Sequence, residues 1–458
     1  MNSIRFFSFL FLFYSTVMFT EESEGEWMIP VQVREARSSC YIAPPSLSES
    51  LFSSPYVRDL HQLFLFDFSH SGWTKLFVPA PEREEEWAST FSAEQWLDLA
   101  WHDWKVDYLV IPQIRGQVLS LLSLDVAQRK TQEVHSVALS GQIDQDAALL
   151  HQMTDTLIEQ WGGIGIATTS ILYVNRTLNQ GERKNSSEIW EIDYDGRNPR
   201  QLTYEGSLSV NPHYFPPQSG KRSHSFFYVS YKLGQPKIYH SSRRSLRTRR
   251  FSYLRGNQFM PVVSRDQRQI AFISDVSGNP DIFLVDFSPE QGAFGKPIQL
   301  FTAPRSTQSS PTFSPDGKQI AFVSNKEGTP RIYLLNVPEW KERREEREVT
   351  LISKKHRENS NPCWSPDGKK IAYSALQGSY RQIWLYDCES GKEEALTSGP
   401  LHKEGPSWAP NSLSLVYNGI FSDTESELYL IDIYERVPQK ISSGKGTKLF
   451  ACWEPLIS

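Results

Sequence analysis

Cysteine is scarce: four thiols in 458 residues, Cys40, Cys363, Cys388 and Cys452, are too few and too scattered for a disulfide scaffold. Free, buried thiols packed as small hydrophobic groups are expected instead. No group of Cys and His has metal-ligand spacing, so neither a metal nor another cofactor is expected. Charge of either sign is not in excess either. A formal net charge of −5 gives no argument for nucleic acid or for an anionic membrane surface. Long hydrophobic runs are also missing. The longest, Phe6–Phe19 behind Arg5, is interrupted by Ser8, Ser15 and Thr16, which suits the apolar region of a signal peptide and falls short of a membrane span. Residues 1–20 are therefore expected to direct export. No A-x-A site follows, so the cleavage point and an uncleaved anchor both stay open. Residues 21–35, beginning with the acidic Glu21–Glu26 stretch, are expected to form a flexible mature N-terminus.

Catalytic signatures are absent as well. The chain holds no G-x-S-x-G elbow, no Walker A loop, no H-E-x-x-H and no G-x-G-x-x-G, which leaves no candidate catalytic residue. Its ten His are scattered without a repeated partner.

What the chain does have is a repeat. Ser310–Asn336 reads SPTFSPDGKQIAFVSNKEGTPRIYLLN. Ser314-Pro315-Asp316-Gly317 fits a type I turn, with Ser accepting, Pro fixing φ and Gly tolerated at the fourth position. Ile320–Val323 is apolar on both faces, as a strand sandwiched between two sheets must be. Asn325–Gly328 then turns the chain into a third strand, Ile332–Leu335. The pattern returns at Asn361–Lys369, at Met260–Asp266 without the turn's Pro and Gly, at Gly405–Pro410, and more weakly at Asn211–Phe215. The leading prolines, at 212, 261, 311, 362 and 406, are 44 to 51 residues apart, a period that suits one four-stranded propeller blade. Asp266, Asp316 and Asp367 fall in the connecting turns, where Asp serves turn chemistry.

The two ends of the repeat region complete each other. Phe450–Pro455 reads as an innermost strand with nothing after it, while Ile171–Val174, Glu188–Ile192 and Arg200–Thr203 read as second, third and fourth strands with no first. A six-bladed propeller over residues 168–458 follows, closed by the C-terminal strand, which removes free sheet edges. Apolar residues at 39% and aromatics at 13%, including 13 Trp, suit a globular chain rich in strand formers. Cys363 and Cys452 occupy equivalent places two blades apart.

Residues 36–167 carry none of the repeat turns and alternate helical and strand periods, which predicts a separate α/β domain. Helices are expected over Val57–Phe68, with Leu60, Phe64 and Phe68 on one face and Gly72 beyond the end, over Ser92–Trp101, and over Asp144–Trp161, with Leu150, Met153, Leu157 and Trp161 on one stripe. Asp107–Gln113 is expected as a buried strand, and Val118–Asp125 with Glu133–Leu139 as a hairpin. Glu82–Glu86 and the mixed-charge Lys341–Glu348 read as solvated connections. The arginine run Arg243–Arg250 reads the same way. The alternative there, an anion or acidic-lipid contact, has no support from the overall charge.

An α/β domain followed by a propeller of PxWSPDGKxIAF-type repeats that closes on a C-terminal inner strand resembles the TolB family of periplasmic Tol-Pal proteins. The segments WHDWKVDYLV (Trp101–Val110), GIATTSILYV (Gly165–Val174) and KLFACWEPLI (Lys448–Ile457) carry the resemblance across the whole mature chain. It implies a non-enzymatic, monomeric protein of the periplasm. Such a protein binds the peptidoglycan-associated lipoprotein Pal through the propeller and an inner-membrane TolA-like protein through the N-terminus, and so reaches the outer membrane through its partners and serves envelope integrity and division. The Pal-contacting positions carried over are Asn257 and Met260 before Pro261, and Ser309 before Pro311. Asn257 stands where the family commonly has His, and Met260 where it has a small residue. Loop geometry adds Asn211, Ser360, Asn361, Glu404 and Gly405, because loops joining an outer strand to the next inner strand converge on the channel mouth. Trp27, Ile29, Val31 and Val33 either form the TolA contact by strand addition or are the α/β domain's first strand. The rival from another class is a propeller hydrolase, or an accessory propeller acting on peptides or glycans, which convergent carboxylates or a metal in the channel would favour.

Overall fold

The computed structural model describes residues 37–45, 50–80, 96, 99, 101–177, 186–252, 254–288, 292–338 and 348–457. The α/β part is a five-stranded sheet in the order β2-β1-β3-β4-β5, made of β1 (Ser38–Ile42), β2 (Thr74–Leu76), β3 (Tyr108–Arg115), β4 (Val118–Asp125) and β5 (Lys130–Ala138). β1 runs parallel to both β2 and β3, and the rest is antiparallel. Helices α1 (Ser54–His70) and α2 (Ile143–Gln160) cover one face. Their stripes, Leu60, Phe64 and Phe68 on α1 and Leu150, Met153 and Leu157 on α2, meet in one buried core with Trp161 packed beside it. The other face carries Tyr41 stacked on Trp101 at 5.2 Å. Sandwiching between these layers explains why β3 is buried on both sides. Of the helix expected at Ser92–Trp101, only Trp96, Leu99 and Trp101 are described, and Trp101 opens a short 3-10 turn ending at Trp104. Residues 1–36 lie outside the described residues, with the expected signal peptide and Trp27, Ile29, Val31 and Val33. So do Glu82–Glu86 and nearly all of Lys341–Glu348.

Six four-stranded sheets form the propeller. Blade I takes its inner strand from the C-terminus: Thr447–Trp453 pairs antiparallel with Ser170–Thr177, Trp453 opposite Ile171. The inner strands of blades II to VI are Ser209–Tyr214, Gln258–Val263, Gln308–Phe313, Asn359–Trp364 and His402–Trp408. In blades III to VI the inner strand is followed by the expected tight turn, closed by an N–H bond to the carbonyl three residues earlier. In blade IV the Gly317 N–H donates to the Ser314 carbonyl at 2.9 Å, and the Ser314 hydroxyl donates to Asp316 Oδ1 at 2.5 Å. That bond, with the Lys318 N–H, holds the Asp316 carboxyl below its usual range. The same Ser–Asp bond recurs at Ser264–Asp266 and Ser365–Asp367. These carboxylates are engaged in their own turns, as the turn chemistry predicts.

The ring is locked by a buried ionic knot that corrects the solvated reading of the arginine run. Arg243, the first residue of that run, donates to Glu454 Oε1 at 2.7 Å and to Glu191 Oε1 at 2.7 Å. Arg222 donates to the same Glu454 oxygen at 2.9 Å. Glu454, one residue past the closing strand, is fully buried and also accepts the Ser170 N–H. Burial alone would raise the Glu191 carboxyl, but Arg243 and Arg200 beside it hold it below its usual range. Of the run's arginines, Arg244, Arg247 and Arg249 are exposed, and Arg243 and Arg250 are not. The four thiols are unpaired, with Cys40 and Cys452 buried and Cys363 and Cys388 half-buried, short of the full burial expected.

The α/β part sits on one face of the propeller, the face carrying the first-to-second-strand turns and the third-to-fourth-strand connections. Asn411 donates to the Ser71 carbonyl at 2.7 Å, Arg197 pairs with Asp144 at 2.9 Å, and Tyr194 donates to Asp67 at 2.5 Å. Gly72 is required at its contact. Its φ is +69°, and a Cβ there would lie 2.6 Å from Leu413 Cβ. The opposite face, where outer strands hand over to the next inner strand, makes none of these contacts.

Candidate binding face

All six inner strands break register with the second strand of their blade at the same place. Two inner-strand residues oppose one, a bulge whose first residue takes the left-handed conformation. Those residues are Asn211 (φ 50°), Met260 (49°), Ser310 (49°), Asn361 (51°), Gly405 (63°) and Phe450 (53°). Only one is glycine, although the conformation costs other residues about 1–2 kcal/mol each. In five blades the second bulged residue is the repeat's proline, which is tolerated because bulges release a residue from the ladder. The leading proline visible in the sequence is thus the mark of a bulge.

These residues surround one end of the central channel, a cavity of about 150 Å³. The ring presents amide, hydroxyl, thioether and aromatic groups and no charge. Neighbouring blades are tied through it: the Ser310 N–H points at Met260 Sδ at 3.1 Å, and the Gly405 N–H at Ser374 Oγ at 3.1 Å. Two residues ahead of the bulge stands a buried polar side chain, which in five blades pins the preceding loop. Gln258 donates to the Leu254 carbonyl at 3.2 Å, Gln308 to Ser306 Oγ at 3.1 Å, Asn359 to the His356 carbonyl at 2.7 Å, Lys403 to the Ser398 carbonyl at 2.9 Å and Lys448 to the Gly444 carbonyl at 2.6 Å. The loops around the mouth are therefore held in place before any partner arrives, which lowers the ordering cost of binding.

Around this ring the face exposes large apolar side chains. Tyr204 (71%) lies in the loop from blade I to blade II, and Leu233 (65%), Val276 (51%), Tyr380 (38%) and Phe421 (51%) lie at second-to-third-strand turns of blades II, III, V and VI. Large apolar side chains are also exposed at the other end of the blades, Leu246, Phe294, Tyr434 and Val437, so what sets the mouth face apart is its pre-formed, uncharged ring with apolar side chains set around it.

Of the residues proposed from sequence, Asn211, Met260, Asn361 and Gly405 come together in the channel wall. Ser309, Ser360 and Glu404 stand one position earlier, paired in register with Val323, Ser374 and Asn418. Glu404 is also held by Arg381 at 3.2 Å. Asn257 points elsewhere, binding both oxygens of Asp275 through its N–H at 2.7 Å and its Nδ2 at 2.6 Å, which braces the adjoining turn. Two ring members escaped the sequence reading. Ser310 is the residue directly before Pro311, and strict alignment of the repeats on their prolines would have selected it over Ser309. Phe450 precedes Ala451 rather than a proline, so the marker was missing.

A family model described as the TolB beta propeller domain matches residues 161–457. A protein of Protochlamydia amoebophila (strain UWE25) described as a TolB homolog is 42% identical over 381 residues, 82% of this chain and 81% of its own length. A second TolB homolog, from Chlamydia pneumoniae, is 38% identical over 347 residues, 75% of this chain and 77% of its own. The crystal structure of TolB from Acinetobacter baumannii matches with a TM-score of 0.69, covering 92% of this chain and 97% of its own at 20% identity, a likeness of fold.

Proposed function

This chain belongs to the TolB family, and from that premise we propose that it is a non-enzymatic periplasmic component of the Tol-Pal system whose channel-mouth face docks the outer-membrane lipoprotein Pal. The observation that carries the reading is the mouth face itself. It is pre-formed, uncharged at its centre, studded with exposed apolar side chains, and lies opposite the face that the α/β part occupies. In this reading a TolA-like inner-membrane protein is reached through the N-terminal segment containing Trp27, Ile29, Val31 and Val33, by strand addition. Together the two contacts would link the membranes during division and keep the outer membrane intact. The hydrolase alternative finds no support at the channel. Among the described residues lining the ring cavity there is no Asp or Glu, and among all the described residues no group of His, Cys, Asp and Glu is arranged to hold a metal.

The test is capture from detergent-solubilised envelopes of the source bacterium by the purified mature protein, compared with Ser310→Arg/Asn361→Arg. The parent is expected to recover a Pal-like lipoprotein and the variant to lose at least about tenfold of it, because two guanidinium groups would fill an uncharged mouth. Equal recovery by a folded variant would move the docking site off this face. Recovery of no envelope protein by the folded parent would contradict the Tol-Pal role.

A further inference from the structure

The loops of the mouth face are basic in a chain whose net charge is −5. Arg255, Arg305, Lys354, Arg357 and Lys445 lie in four of the connections that enter inner strands. All five are exposed, and none has an ion-pair partner among the described residues. The carboxylates of the same face are mostly engaged. Glu205 is held by Lys232 at 2.7 Å, Glu327 by Lys326 at 3.4 Å, and both Glu358 and Glu404 by Arg381, at 3.4 and 3.2 Å. Asp275 is occupied by Asn257. Two exposed carboxylates without such partners, Asp423 and Glu425, sit together at one turn of blade VI.

Resting on the reading of this face as a docking surface, we propose that the segment it receives is an acidic stretch of polypeptide carrying apolar side chains. Free cations distributed around the mouth attract and orient an anionic partner. The exposed Tyr204, Leu233, Val276, Tyr380 and Phe421 supply apolar contact further out. Two features favour a polypeptide over an anionic membrane. The cations encircle a cavity rather than crowd on one flat patch, and the centre offers Asn211, Ser310 and Asn361, groups suited to hydrogen bonding with peptide amides. Charges at the rim of an interface act mainly on association rate and salt dependence, so the preference should fade as salt screens them.

The experiment measures fluorescence anisotropy of a labelled oligoglutamate with the full mature protein at low and high salt. A labelled oligolysine and phosphatidylglycerol vesicles are the comparison probes. The parent is expected to bind oligoglutamate at low salt and not oligolysine. Arg305→Glu/Arg357→Glu should weaken that binding by at least about tenfold, while Arg244→Glu/Arg247→Glu on the opposite face leaves it unchanged. No binding by the parent, or equal binding by the charge-reversed mouth variant, would overturn the proposal. So would vesicle binding that is lost in the mouth variant while oligoglutamate is ignored. Envelope capture with the same variants separates the two readings. If Pal-like lipoprotein is still captured while oligoglutamate ignores the face, the acidic preference falls and the docking surface stands. If oligoglutamate binds there and no lipoprotein is captured, the identity of the partner falls.

Discussion

Arg243→Met is expected to destabilise the protein by about 3–5 kcal/mol, because it takes from two buried carboxylates the one cation they share. Arg243 is shared by two carboxylates: Glu454, fully buried behind the closing strand, and Glu191 on the third strand of blade I. Its removal leaves Glu454 with Arg222 and Glu191 with the half-exposed Arg200. The loss falls where the ring closes, since Glu454 also accepts the Ser170 N–H at 3.2 Å and so joins the C-terminal segment to the start of blade I. Arg247→Met, in the same run but exposed, is expected to change stability by no more than about 0.5 kcal/mol. Urea unfolding of the two variants beside the parent checks the contrast. Equal effects would return the whole run to the solvated connection that its sequence implies. A double replacement of Arg243 and Glu454 should cost less than the two singles combined, because it removes both members of the pair.

The second large effect lies where the α/β part meets the propeller. His151 on α2 is buried between two carboxylates, with Nδ1 2.9 Å from Asp67 on α1 and Nε2 3.4 Å from Asp195 of blade I. Asp67 also accepts the Tyr194 hydroxyl. Burial alone would lower the imidazole's pKa, but Asp67 and Asp195 outweigh it and push it up to about 10. An unfolded histidine titrates near 6.5. The native state therefore holds one proton more than the unfolded state between roughly pH 6.5 and 10, and the pair's stabilisation, complete below pH 6.5, is lost as pH rises through that window. Stability is expected to fall by about 1 kcal/mol per pH unit between roughly pH 7 and 8, before most of the thiols, with an ordinary value near 8.5, ionise. His151→Ala should remove that slope and cost about 3–5 kcal/mol at pH 6, because Asp67 then stays buried without its cation, while Asp195 keeps only Arg197 at 3.0 Å. A parent whose stability is flat across this range would contradict the charged assignment.

The propeller was legible because each repeat states its geometry locally. Ser314–Gly317 specifies a turn, Ile320–Val323 a doubly buried strand, and the unmatched strands at the two ends required closure. The helix stripes of the α/β part were legible for the same reason. Features made by distant residues were not. Arg243 reads as one arginine among several until Glu454, 211 residues away, is placed beside it. His151 and Asp67 are 84 residues apart, and nothing near either announces a charged pair. The channel ring was half visible. Its members, Asn, Met, Ser, Asn, Gly and Phe, share a backbone conformation rather than a chemistry, so only the following proline marked them, and Phe450 lacked it. The placement of Asn257 shows the opposite error. It is a residue chosen for its position near the mouth whose side chain is already spent on Asp275.

Hydrogen exchange of the purified mature protein, with and without the envelope lipoprotein it captures, tests the docking face most directly. The account predicts added protection in the connections 302–307, 352–358 and 396–401 and in the bulged segments from Asn361 and Gly405, with no change at the Ser314–Gly317 and Ser365–Gly368 turns on the opposite face. Protection confined to those turns, or to the α/β part, would contradict it.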